Sequence, residues 1–301
     1  MRDGESVPEI VEHEVTAPWE GVLAEPAASS GAGVLVLAGS SGRVDRRRAR
    51  LLAQQGLVAL AIRWFGGPGR PAGICEIPLE TFVAGVDLLR SRGVERVGVL
   101  GVSKGAEAAL LTAVHEPLVD VVAGVSPTAL VWCNVGPGLD GRRHPYRSSW
   151  TWRGRPLPFV PMDDSWRPAE RADGGPVAIG GWYDLSERTF APHLDAAAIP
   201  VERARADVLL IAGGDDAMWP SLRYAEQLAA RRRAAGRSVH LLTRADAGHR
   251  PRFPGEGPAE SSPTFRYGGT PRADALLGEL AWAPVVDALR RPRAVPARRS
   301  T

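Results

Sequence analysis

The sequence predicts an α/β fold, a mostly parallel central sheet with helices on both faces. Three observations carry that prediction. Short, wholly apolar runs recur along the chain, and amphipathic stretches of helical length separate them. The apolar runs also lack the polar–apolar alternation of a half-buried strand. Both faces of each strand must therefore be covered, as crossover helices cover a parallel sheet.

The elements follow in order. Residues 33–39 (GVLVLAG) read as a buried strand, and 45–56 (DRRRARLLAQQG) as a helix closed by a stop glycine. Residues 57–65 (LVALAIRWF) form a second strand and 78–93 (PLETFVAGVDLLRSRG) a second helix. Residues 96–103 (RVGVLGVS) form a strand that runs straight into the helix 104–116 (KGAEAALLTAVHE). Strands at 119–127 and 206–216, a helix at 220–236 and a strand at 238–249 complete the pattern. Between Leu130 and Val201 the alternation gives way to Gly, Pro and Trp, with Trp150, Trp152, Trp166 and Trp182 among its tryptophans. A segment this long without regular pattern is more than a connection, and such segments often carry function.

One domain is expected over residues 31–290, with an irregular Trp/Pro/Gly-rich insertion at about 130–200. Residues 1–30 read as an N-terminal extension with room for a leading strand, and 291–301 as a disordered Arg/Pro-rich tail. The formal charge is +3, but five arginines lie in RRPRAVPARRST, which leaves about −2 on the rest. The basic character thus belongs to a solvated tail, and no nucleic-acid partner is expected. No apolar run is long enough for a membrane span, and MRDGESVPEIVEHEV has no signal-peptide core. Cys75 and Cys133 are too few for a disulfide framework or a metal site, and are read as reduced thiols in a cytoplasmic protein.

Gly101-Val102-Ser103-Lys104-Gly105 fits G-x-S-x-G. The string is short, but its place between a strand and a helix is that of a nucleophile elbow and specifies the α/β-hydrolase fold. There a serine takes a sharp turn, and small residues two positions to either side let strand and helix crowd together. Ser103 then needs a base, and the base an orienting acid, in the chain order Ser, acid, His. His249 lies just past a strand in ADAGHRPRF and takes the base role; His13, His115, His144, His193 and His240 occupy less suitable places. The acid should end the preceding strand, where Asp215 and Asp216 stand side by side. The spacing Gly213-x-x-Asp216 before the Trp219-Pro220 turn favours Asp216.

The oxyanion needs backbone donors. One is the N–H of the residue after the nucleophile, Lys104; the other is the N–H of Ser41 or Ser40 in LAGSSGRV, with Ser41 ahead. Lys104 is the only lysine in the chain, yet spacing assigns its side chain no task. Arg46 and Arg47, in the cluster from Arg43 to Arg50, are candidates for phosphate contacts, weighed against a solvated helix face. Trp150, Trp152, Trp166 and Trp182 are candidate walls of an acyl pocket, weighed equally against simple packing under a long loop, and Trp219 is a further candidate substrate contact.

These motifs together resemble the acyl-CoA thioesterases and bile acid-CoA:amino acid N-acyltransferases, in their C-terminal α/β-hydrolase domain. LGVSKGAE is similar to that family's elbow, in which lysine commonly follows the nucleophile. IPVERARADVLLIAGGDDAMWPS is similar to the segment bearing the acid, and AGHRPRFP to the histidine loop. SWTWRGRPLPFVP resembles the family's insertion, and YGGTPRADALLGELAW the start of its last helix. The resemblance covers roughly 33–289 and places the family's catalytic residues on Ser103, Asp216 and His249. It implies a small-molecule acyl thioester or ester as substrate, with coenzyme A as the leaving thiol and no metal or redox cofactor. In the family, serine tends to accompany hydrolysis and cysteine amino-acid conjugation, so a thioesterase is expected. The alternatives are an acyl-CoA-dependent N-acyltransferase and an ester or dienelactone-type hydrolase. A non-catalytic binding protein sits poorly with an intact Ser, Asp and His. Family members carry a β-sandwich before this domain; with about 30 residues before the first core strand, this chain is expected to lack it.

Overall fold

The computed structural model describes residues 9–168 and 174–291. The tail expected at 291–301 lies outside them except for Arg291. Eight strands form one sheet. At one edge, β1 (Ile10–Val15) pairs antiparallel with β2 (Gly21–Pro26), and β2 pairs antiparallel with β4 (Val58–Ile62). From there β3 (Ala32–Leu37), β6 (Arg96–Val102), β7 (Val121–Val125), β10 (Asp207–Gly213) and β11 (His240–Arg244) continue in parallel, in the order β1-β2-β4-β3-β6-β7-β10-β11. A small second sheet joins β5 (Ile77–Pro78), β8 (Trp150–Trp152) and β9 (Arg155–Pro156).

Every residue of β3, β4 and β7 is buried, which is why these strands read as unbroken apolar runs. The two-residue period of a strand then divides the side chains between two cores. Leu35 and Leu37 face α2 (Glu80–Ser91), α3 (Lys104–His115) and α6 (Ser221–Ala234), packing with residues such as Phe82, Leu110 and Tyr224. Val34 and Val36 face the opposite side, against Leu52 of α1 (Arg46–Ala53) and Leu277, Ala281 and Val285 of α7 (Pro271–Arg290). Each fully buried side chain of this size stabilises the fold by about 1.5–3 kcal/mol. Side chains placed at the helix starts decide where two of these helices begin. Asp45 accepts from Arg48 N–H at α1, and Thr270 accepts from Ala273 N–H at α7, ahead of Pro271.

The segment that reads as irregular is folded onto the first core. Val131 N–H bonds Ala197 O, Cys133 N–H bonds Val160 O, and β8 lies beside β5. It also carries α4 (Gly180–Thr189) and the single turn α5 (Leu194–Ala197). Among the described residues no helix is long and apolar enough to cross a membrane.

Candidate active site

Ser103, Asp216 and His249 follow the carboxyl ends of β6, β10 and β11, so the parallel sheet brings three distant stretches of chain to one edge. Open α/β sheets place their ligand sites at that edge. Ser103 closes β6 and precedes α3 with φ 55° and ψ −123°, a left-handed conformation that an L residue adopts only under strain. The flanking glycines make the turn possible. A Cβ at Gly101 would collide with the carbonyl of Gly105, and one at Gly105 with the carbonyls of Leu37 and Ala38. Ser103 Oγ has no protein hydrogen-bond partner among the described residues. Ser103→Gly is therefore expected to raise stability by about 1 kcal/mol, because glycine tolerates this φ. Chemical denaturation checks it, and a less stable glycine variant would show that the turn is not strained.

His249 Nδ1 lies 2.7 Å from Asp216 Oδ2, with both side chains buried, at 5% and 1% exposure. The other carboxylate oxygen of Asp216 accepts from the N–H groups of Met218 and Trp219, at 2.9 and 3.3 Å. With Nδ1 donating to Asp216, Nε2 is left as the basic nitrogen. The imidazole is further held by its backbone: Ser126 Oγ donates to His249 O, and His249 N–H donates to Tyr267 O. Its ring packs edge-on against Trp219 and parallel to Tyr267. Asp215 is exposed and accepts from Gly269 N–H at 2.8 Å instead, which separates the two adjacent carboxylates by task.

Two lobes of one cleft meet at Ser103 and His249. The first, of about 260 Å³, is walled by Trp132, Tyr183, Trp219, Met162, Ile179 and Trp182. The second, of about 120 Å³, is lined by Arg43, Asp45, Arg48, Arg250, Arg252 and Tyr267. Ser40 lines both lobes, Ser41 only the second. The preceding Gly39 lies against the nucleophile, where a Cβ would come within 3.1 Å of Ser103 Cβ. The N–H groups of Ser40, Ser41 and Lys104 have no protein acceptor among the described residues.

Five expected substrate contacts are corrected. Arg46 pairs with Glu14 of β1 at 2.5 Å, and Arg47 donates to Gly255 O; both line an outer basin that does not include Ser103. Trp150 packs in the core against Trp64 and Phe82, and Trp152 stacks on His115. Neither lines the cleft. Trp182 and Trp219 do line it, and Trp166 does not.

Arg250 and Arg252 lay outside the arginine run that the sequence singled out, because they sit beyond the histidine loop. Tyr183 and Met162 had no signal beyond lying in the insertion. Arg250 stacks 3.6 Å from the Tyr267 ring, and burial together with nearby Arg43 holds its guanidinium below the ordinary value. Burial, with Arg48 and Arg43, does the same to Arg252. Below the lobe, Glu256 serves both Arg48, at 2.6 Å, and Arg252, at 3.6 Å. Arg43 is exposed and has no carboxylate partner among the described residues. The second lobe thus carries cations in excess of the carboxylates that balance them.

The chain is 28% identical over 261 residues to mouse acyl-coenzyme A thioesterase 2, mitochondrial, covering 83% of this chain and 53% of that protein. It is 29% identical to human acyl-coenzyme A thioesterase 1, over 83% of this chain and 57% of the relative. It is also 29% identical to rat acyl-coenzyme A amino acid N-acyltransferase 2, over 72% and 48%. The chain spans about half the length of these relatives. In fold it is similar to a putative dienelactone hydrolase of Klebsiella pneumoniae, with TM-score 0.57 and 15% identity over 94% of this chain and 100% of that one. An esterase of Pyrococcus furiosus gives TM-score 0.55 and 16% identity, over 94% and 91%. Both solved structures place the chain in the α/β-hydrolase fold. The model of the family described as BAAT / acyl-CoA thioester hydrolase C terminal matches residues 77–291, more than two thirds of the sequence, and the chain belongs to that family.

Proposed function

We propose that the chain is a serine acyl hydrolase that cleaves an acyl-CoA-type thioester through an acyl-serine intermediate. The observation that carries this reading is the cleft itself, with an aromatic lobe for an acyl chain and an arginine lobe for a phosphorylated leaving group on either side of Ser103. Arginine suits that second role, because its planar donors match phosphate oxygens. The reaction needs no cofactor.

His249 Nε2 takes the Ser103 proton as Oγ attacks the thioester carbonyl. The oxyanion is held by Lys104 N–H and by Ser40 N–H, which we place ahead of Ser41 because Ser40 borders both lobes. Each such donor is worth about 2.7–4 kcal/mol to the transition state. As the intermediate collapses, the C–S bond breaks, His249 returns the proton to sulfur, and the thiol leaves. Water then attacks the acyl-serine, His249 takes its proton, and collapse releases the acid while Ser103 regains its hydrogen. Asp216 stabilises the imidazolium in both halves.

The test compares an acyl-CoA with the same acyl group on a short thiol that lacks phosphates. Arg43→Ala and Arg250→Ala are each expected to raise KM for the acyl-CoA about tenfold with little change in kcat, as loss of a charge-assisted hydrogen bond would. The short thioester should be unaffected. A wild-type protein that releases no thiol from acyl-CoA would end this reading. Adding an amino acid as acceptor tests a second reading, acyl transfer to an amine, which the similarity to an N-acyltransferase brings in. Amide product in place of free acid would favour it.

A further inference from the structure

The lone lysine has a buried task. Lys104 is 2% exposed and its Nζ lies 2.6 Å from Glu107 Oε2, one turn along α3; Glu107 is fully buried. The second oxygen of Glu107 accepts from the backbone N–H of Trp132 at 3.0 Å and from the indole N–H of Trp150 at 2.7 Å. Lys104 Nζ also donates to Ser149 Oγ at 2.8 Å, and that hydroxyl donates to Cys133 O at 2.7 Å. The ammonium lies 5.2 Å from the Trp150 ring centre. Two separate stretches of the insertion are thereby fastened to the first turn of the helix that follows the nucleophile.

A buried ion pair is a costly fastener, and apolar residues of like volume often replace one without loss of stability. Stability alone therefore does not call for it. What the pair does provide is direction. From Trp132 a line of ring contacts runs to Tyr183, on to Trp219 and then to His249, with centroids 4.7, 5.5 and 5.6 Å apart. Trp132, Tyr183 and Trp219 are walls of the aromatic lobe. Lys104 thus presents its N–H to the cleft, while its side chain fixes the wall along which an acyl chain would lie.

We propose that Lys104 and Glu107 are positioning residues for acyl recognition, setting the aromatic wall in register with the oxyanion donor. The proposal rests on the acyl hydrolase reading, and its consequence is selective. A long acyl chain depends on the wall, whereas an acetyl group reaches only the nucleophile and the oxyanion donors.

The test uses the full chain with acetyl and octanoyl thioesters of one thiol. Lys104→Met alone should lower the melting temperature sharply, since it strands a buried carboxylate. Adding Glu107→Gln should restore most of it, and a failure of that rescue would show that the two charges do not act as a unit. In the double variant the ratio of kcat/KM for octanoyl over acetyl thioester should fall tenfold or more, through KM for the octanoyl substrate. Ser149→Ala removes only the lysine's second acceptor and should shift the profile the same way. Equal losses on both chain lengths, or an unchanged profile in a folded variant, would overturn the proposal. Calorimetric binding of octanoate reads the same lobe without turnover. Affinity at least tenfold weaker in the double variant is expected, and unchanged affinity refutes the wall's role even if the reaction assigned to the site is wrong.

Discussion

Ser103→Ala is expected to lower kcat by about 10⁴-fold or more, because the members of a Ser–His–Asp unit fail together. The fold should survive. Among the described residues Ser103 Oγ has no protein hydrogen-bond partner to lose, and alanine occupies the same strained turn under the same packing of Gly101 and Gly105. The measurement is steady-state thiol release beside a melting curve. A serine-directed fluorophosphonate adds a second readout, since it should label the wild type and leave the variant untouched. Near-normal turnover in a folded alanine variant would remove the serine mechanism altogether.

Asp216→Asn should be almost as damaging, with kcat lower by about 10⁴-fold, while Asp215→Asn stays within a few-fold of wild type. Asp216 meets His249 Nδ1 at 2.7 Å, so an amide there would favour the wrong imidazole tautomer and give no stabilisation to the imidazolium. Asp215 only accepts from Gly269 N–H, a bond that an asparagine oxygen can keep. Measuring kcat for the pair side by side separates them. If Asp215→Asn is the inactive variant, Asp215 and not Asp216 is the carboxylate that serves the histidine.

Much of this site was legible in the residues alone. Ser103 announces itself because the turn constrains its neighbours, since nothing larger than glycine fits at 101 or 105. His249 follows from its place after a strand, and Asp216 from its spacing. Other residues were misread because their partners are remote. Arg46 faces Glu14, 32 positions earlier, on an edge strand within the stretch read as an extension. Trp150 has the composition of a pocket wall, but it packs against Trp64 and Phe82 far along the chain. Ser40 and Ser41 share one pattern, and only the shape of the cleft separates them.

By itself the sequence determined which faces are buried, where strands turn into helices, and which residue types stand at those turns. These are properties of neighbours three or four positions apart, so backbone periodicity and side-chain volume are enough to specify them. The tertiary structure alone decided what Lys104 touches and which arginines share a lobe with Ser103. Ser149 lies 45 residues from Lys104, and Arg250 stands more than 200 residues from Arg43. Such pairs meet because the sheet and its two cores bring the segments together. Their energies depend on burial and on the partners they find, and neither quantity is written in the local chain.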